Sequence, residues 1–374
     1  MNVEDRGGGS GSAVGATTAE IDLRKLGIPY VGPFRGVAHI PREHLPIGRT
    51  INGGQVIPMN IQEITVNHAG RSSIRRLVLN KSIYKGNHGL VESVNVYEKW
   101  YQGEKKGYTS DILFRKVPTD GNSLACEAFF QLAAQKILKE YGLGRTVARV
   151  RDVYRDPRVG NAAVFTMDPF LDVDLFSEVL IQRVLTVETI LSIIGQVALL
   201  LTILGERLDM NHRDLKTSNI LLARTGPDGM AMKAVGWQGR TIVIRGEYSV
   251  KLVDFGFACS GTGTRTLVNA TEFFPITDPC PKTGRDMFQL LTTIYLCENF
   301  RATAGAAEPL RTLFANWLAI PGSDYIGFLQ KMGAESIDWV YLLLGSDKFR
   351  APKCESAAIL ADIGAIFPNV VEYH

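Results

Sequence analysis

The sequence predicts an α+β protein of two lobes, a small antiparallel β-sheet followed by a mainly helical part. Three observations predict it. Between residues 75 and 117, strand-like runs are broken by Gly and Asn, and apolar and polar residues alternate from Ile112 to Val117. From residue 123 onward, apolar residues recur at helical spacing, most clearly over 123–142 and from Val187 to about Leu208. Between 211 and 256, two short polar clusters sit inside apolar runs, the setting in which loops carry chemistry on a rigid scaffold.

Bulk properties exclude several classes. A chain of 374 residues that is 45% hydrophobic is long enough for two lobes or about two domains. Its 41 basic and 38 acidic residues leave a net charge of +3, which makes no case for nucleic acid or for an anionic membrane surface. Five widely spaced cysteines without a CxxC pair support neither a zinc site nor a disulfide framework. The expectation is reduced thiols in a cytoplasmic or nuclear protein. No basic flank leads into an apolar core at the N-terminus, so no signal peptide is expected. The most apolar run, Ile190 to Leu204, carries Ser192, Gln196 and Thr202 and is 15 residues long. That is short of the ~20 a bilayer needs, so it reads as a buried helix without membrane insertion.

In chain order, residues 1–19 are a Gly/Ser-rich tail, with GGGSGS at 7–12, and are expected to be disordered. Residues 20–70 form an N-terminal extension whose frequent Pro and Gly argue for extended segments. Arg75–Gly86 and Gly89–Tyr97 read as the strands of a hairpin, and DILFRKVP as a third strand beyond the polar turn QGEKKGY. SLACEAFFQLAAQKILKEYG is a helix with Glu127 in its first turns and Gly142 at its C-cap. VARVRDVYRD and NAAVFTMDPF supply two more strands, five in all, and the first lobe ends near residue 168. DLFSEVL and the run from Val187 are helices of the second lobe, 169–374. NILLA and VKLV are strands around an insert, Arg224 to about Gly246. In that insert TIVIRGEYSVKLV predicts an extra hairpin turning at Arg245-Gly246, with Trp237 exposed or packed on the lobe. The remainder, about 300–374, is helical, with Trp317 and Trp339 closing the lobe and DKFRAP as a late turn.

The polar clusters are His212-Arg213-Asp214-Leu215-Lys216-Thr217-Ser218-Asn219 and Asp254-Phe255-Gly256. Together they resemble the catalytic and metal-binding loops of the eukaryotic-type protein kinase family. A lone Asp-Phe-Gly would not, since Asp-x-Gly is a common turn composition. Phosphoryl transfer needs a base that orients a hydroxyl, a cation beside the migrating group, and oxygens that hold magnesium. Asp214 can accept the proton of a hydroxyl, and Lys216 can put its ammonium beside the same phosphate. Asn219 and Asp254 are a hard-oxygen pair suited to Mg²⁺.

The resemblance covers roughly residues 75–350 and implies further roles. Gly86 and Gly89 match the second and third glycines of the loop over the ATP phosphates, and Val91 the valine over the adenine; Tyr84 stands at the first glycine position, a departure. Lys116 matches the lysine on the α- and β-phosphates. Glu127 matches the helix glutamate that orients this lysine, although it lies only 11 residues after Lys116; Glu140, at the far end of the helix, is the alternative. Met167 would stand at the back of the adenine pocket, Met167–Phe170 would be the hinge, and Asp174 would reach the ribose. Thr264, Thr266 and Thr271 are candidate phosphoacceptors with Arg213 as receiver, and Asp286 is the helix aspartate that braces the catalytic loop. The family's Ala-Pro-Glu is absent; Glu272-Phe273-Phe274-Pro275 stands roughly there.

The function implied is an ATP- and Mg²⁺-dependent protein serine/threonine kinase acting on Ser or Thr of a protein substrate, with Lys216 matching the Ser/Thr-specific branch. The departures resemble atypical kinases such as those encoded by large DNA viruses. Two alternatives belong to other classes. One is a pseudokinase scaffold, marked by magnesium-dependent ATP binding without turnover. The other is a small-molecule kinase of the same fold, which a metabolite screen would reveal.

Overall fold

A computed structural model of the chain describes residues 61–68, 71–85, 89–102, 104–119, 123–160, 162–262, 265–268, 280–333, 336–346 and 349–374. The expected tail over 1–19, most of the extension, Gly86, Thr264, Thr271 and Glu272 to Pro275 lie outside the described residues.

The chain is a mixed α/β structure whose first part is an antiparallel sheet. Its strands are β1 (Ile61–His68), β2 (Arg71–Lys85), β3 (Gly89–Gln102), β4 (Lys105–Pro118), β5 (Val150–Asp156) and β6 (Ala162–Met167). They lie in the order β1-β2-β3-β4-β6-β5. The sheet therefore has six strands where five are expected, because β1, inside the stretch read as an extension, pairs along its whole length with β2. One apolar cluster of the sheet gathers Leu77, Val94, Val96, Leu113, Val117 and Val164. Between β4 and β5 runs helix α1 (Ala125–Glu140), which rests on β5 and β6 through Ala125, Ala128, Val153 and Phe165. Gly142, in the left-handed region at φ +82°, ends α1. The amides of Gly142 and Leu143 donate to the carbonyls of Lys139 (3.1 Å) and Leu138 (2.8 Å), the double bond of a Schellman cap.

The largest core surrounds α3. The chain passes through β7 (Val173–Leu175), α2 (Phe176–Gln182) and α3 (Val187–Leu208). Thr186 caps α3 by accepting from the Thr189 amide at 3.1 Å. By length and apolarity α3 could cross a membrane, but 89% of its apolar window is buried inside the protein. It is apolar all round, as a central helix must be. Its one buried amide, Gln196, is satisfied by β12 (Tyr248–Leu252): Nε2 donates to the Tyr248 carbonyl at 2.8 Å, and Oε1 accepts from the Val250 amide at 2.9 Å.

After β8 (Met210–Asn211), strand β9 (Ile220–Arg224) pairs with both β7 and β12, so NILLA and VKLV are neighbours. The insert does form a hairpin, but not the expected one. Strands β10 (Met230–Trp237) and β11 (Arg240–Arg245) turn at Gln238-Gly239, both with positive φ. TIVIR and YSVKL do not pair. β11 instead takes β15 (Val371–Tyr373), the last strand of the chain, as its second neighbour. Alternation marks both runs as strands but cannot say which partner each finds. Trp237 packs on the body, 8% exposed, and donates to Glu206 at 2.9 Å.

The segment after Asp254 contributes β13 (Cys259–Thr262) and β14 (Arg265–Val268); Thr266 lies in β14. Helices α4 (Arg285–Leu296), α5 (Glu298–Ala302), α6 (Glu308–Trp317), α7 (Tyr325–Met332), α8 (Ser336–Gly345) and α9 (Ser356–Ile366) follow. Trp317 is buried, but Trp339 is 53% exposed, against the expectation that both close the core. The expectation of five free thiols is also corrected. Cys259 and Cys280 form a disulfide with Cα atoms 6.3 Å apart, while Cys126, Cys297 and Cys354 are free. Sequence spacing carries no signal of this pair, because what brings the two together is the return of the chain from β13 to the start of α4.

Candidate active site

The loop carrying Asp214 is shaped from below. Helix α3 stops at Asp209, left-handed at φ +47°, and β8 leads into the loop. The buried carboxylate of Asp286, in the first turn of α4, accepts from two consecutive amides, His212 at 2.7 Å and Arg213 at 2.8 Å. His212 is also buried. Its Nε2 lies 3.1 Å from the Val253 carbonyl and its ring lies tilted against Phe255, with centroids 5.0 Å apart. Loop and Asp-Phe-Gly turn are thus tied together. Arg213 and Asp254 both hold left-handed backbones, φ +65° and +66°, a conformation that costs a non-glycine residue ~1 kcal/mol or more and concentrates at functional sites.

Asp214 is 3% exposed. Asn219 Nδ2 donates to its Oδ2 at 2.9 Å and to its carbonyl at 2.8 Å, and Lys216 Nζ lies 3.0 Å from Oδ2. Asp214, Lys216 and Asn219 therefore form one cluster. A second cluster gathers around Lys116. Its Nζ lies 2.6 Å from Glu127 Oε1 and 2.9 Å from Asp254 Oδ1, so β4, α1 and the Asp-Phe-Gly turn meet at one ammonium. Glu140 has no part in it and pairs with Arg207. Burial would lower the Lys116 pKa, but the two carboxylates outweigh it and hold the group above the usual lysine range. Burial pushes Glu127 up, to about 7, against the pull of Lys116. For Asp254 burial acts upward as well, but Lys116 dominates and the carboxyl falls to about 2.

The other sequence candidates lie around this ammonium or away from it. Gly89 opens β3, and a Cβ there would meet Lys116 Cε at 2.9 Å, so only glycine leaves the lysine its place. Val91 is the cross-strand partner of Lys116. Met167 ends β6, and Gln131, one turn after Glu127 on α1, contacts its Sδ at 3.3 Å. Asp174 pairs with Arg183 at 3.3 Å. Arg213 is buried, 2% exposed.

Two residues escape sequence reasoning. Tyr341 of α8 donates to Asp214 Oδ1 at 2.5 Å, and Lys216 Nζ lies 3.4 Å from its hydroxyl. Lys282 is buried and its ammonium donates to the carbonyls of Leu344 and Ser346 at the end of α8. The run around Tyr341, SIDWVYLLLG, is so apolar that one tyrosine carries no signal.

The donor set suits a magnesium-bound nucleotide. The Asp254 side chain is 41% exposed, and Asn219 supplies an amide oxygen. Among the described residues no group of three or more His, Cys, Asp or Glu forms an all-protein metal cage. Mg²⁺ asks for only one or two protein oxygens, with water and phosphate completing its shell. Lys116 is the fixed cation a phosphate would meet.

No family model matches the sequence, and no curated protein matches it. Among solved structures, the chain is similar to the autoinhibited serine kinase domain of the giant muscle protein titin, at 14% identity and a TM-score of 0.36, covering 77% of this chain and 79% of that one.

Proposed function

We propose that the chain is an ATP-dependent protein serine/threonine kinase, with the six-stranded sheet and α1, residues 61–168, as its sheet lobe and 169–374 as its helical lobe. One observation carries it: Lys116 is held between Glu127 and Asp254, beside a loop in which Asp214, Lys216 and Asn219 converge. A structural ion pair needs no such second cluster, and phosphoryl transfer needs both.

Glu127 and Asp254 fix the Lys116 ammonium where it meets nucleotide phosphates, and Gly89 keeps the strand clear of it. Asp254 and Asn219 present oxygens to Mg²⁺, which supplies charge neutralisation for the transferring phosphoryl group when bound. Asp214 orients the acceptor hydroxyl and takes its proton. Lys216 places a positive charge beside the same hydroxyl.

The test is transfer of the γ-phosphate of MgATP to a generic Ser/Thr protein and to the chain itself. Asp214→Asn should lower the rate by ~10²–10⁴-fold. Wild-type protein that binds MgATP yet transfers nothing, even after release of any internal block, would replace this function with a binding scaffold.

A further inference from the structure

We propose that Tyr341 is a built-in cap on Asp214, a phenol of the chain's own helix α8 seated where an acceptor hydroxyl must come. The proposal deepens the kinase reading and rests on it. Both oxygens of Asp214 are engaged. Oδ2 takes Asn219 and Lys216, which belong to the same loop. Oδ1 takes the Tyr341 hydroxyl, from 127 residues further along the chain. Lys216 Nζ stands 3.4 Å from that hydroxyl. The phenol thus has what an acceptor alcohol would require: a carboxylate to receive its proton and an ammonium at its side. The loop's own donors sit on Oδ2, and the phenol stands on Oδ1, where a substrate hydroxyl would have to approach; Tyr341 is the donor that does not belong to the loop.

The helix that carries the cap is built in, not draped over the site. Val340 and Leu344 are fully buried. The buried Lys282 ammonium holds the Leu344 and Ser346 carbonyls at the end of α8, and the Lys282 amide donates to Asn211 at 2.6 Å, just ahead of the Asp214 loop. Cap and base therefore hang on one frame, so the capped state is the resting state. The cap competes with the protein substrate and leaves the Lys116 cluster untouched.

Tyr341→Phe removes the hydroxyl and keeps the ring that packs the site. Steady-state transfer from MgATP to dephosphorylated casein should rise ~10- to 100-fold in kcat/KM for casein, the worth of one hydrogen bond to a charged group. The KM for ATP should not change, and Tyr341→Phe combined with Asp214→Asn should be inactive. A Tyr341→Phe protein no faster than an active wild type overturns the cap. A second readout needs no turnover. In protein labelled at tyrosine ¹³Cζ, the Tyr341 resonance, identified by its loss in Tyr341→Phe, should titrate above ordinary tyrosine, and Asp214→Asn should bring it down. Ordinary titration in both proteins means the contact is absent and overturns the proposal by itself. The contact present while neither protein transfers phosphate, although both bind MgATP, overturns the kinase reading and the inhibitory role with it.

Discussion

Asp286 touches no substrate in the proposed chemistry, yet it holds the backbone that aims Asp214. Asp286→Ala leaves the buried His212 and Arg213 amides without their acceptor, at ~1–3 kcal/mol each. Urea unfolding should show a loss of at least ~2 kcal/mol, together with loss of transfer. Asp254 makes a pH prediction. Its folded pKa, about 2, lies below the usual 3.8 because Lys116 outweighs burial. The stability its carboxylate contributes is therefore fully present above about 3.8 and lost as pH falls through about 2. Thermal melts between pH 5 and 2 should fall less steeply for Asp254→Asn than for wild type. Gly89→Ala places a methyl against the Lys116 stem. It should weaken ATP binding several-fold, read by titration calorimetry, with little change in the unfolding midpoint.

At the scale of elements, the parts that hold the site were legible and their partners were not. Helix α3 spans Val187–Leu208, as its apolar run implies, since a helix buried all round leaves no polar face to confuse the reading. NILLA and VKLV pair directly beneath the two loops. The sequence places β15 within a helical end. Three residues are too few to set a period, and what makes them a strand is the open edge of β11. Val371 is buried against Gly195 of α3, where a larger residue's Cβ would meet its Cγ2 at 3.6 Å. Deleting 371–374 should remove ~2 kcal/mol or more of apolar burial, and calorimetry should show a melting temperature lower by a few degrees.

Over the whole molecule, the Cys259–Cys280 bridge closes a 21-residue separation that begins just after the Asp-Phe-Gly turn and ends just before the helix of Asp286. A loop of that length stabilises by about 3 kcal/mol. Reductant, or Cys280→Ser, should lower the denaturation midpoint accordingly. An unchanged midpoint would mean that the two thiols are not joined in solution, as the spacing of the cysteines alone suggests. The same stretch carries Thr266, in β14.

By itself the sequence singled out the residues that the proposed chemistry uses. Asp214, Lys216, Asn219 and Asp254 stand out as polar residues packed closely inside apolar runs, and Lys116 with Glu127 is what the resemblance to the kinase family implies. Contacts between distant segments were decided only in three dimensions: the second carboxylate on Lys116, the sixth strand, the partner of β11, the disulfide and the phenol of Tyr341 on Asp214. Each joins residues whose local patterns are complete without the other. Periodicity reports which side of an element faces inward, and only packing decides what it faces.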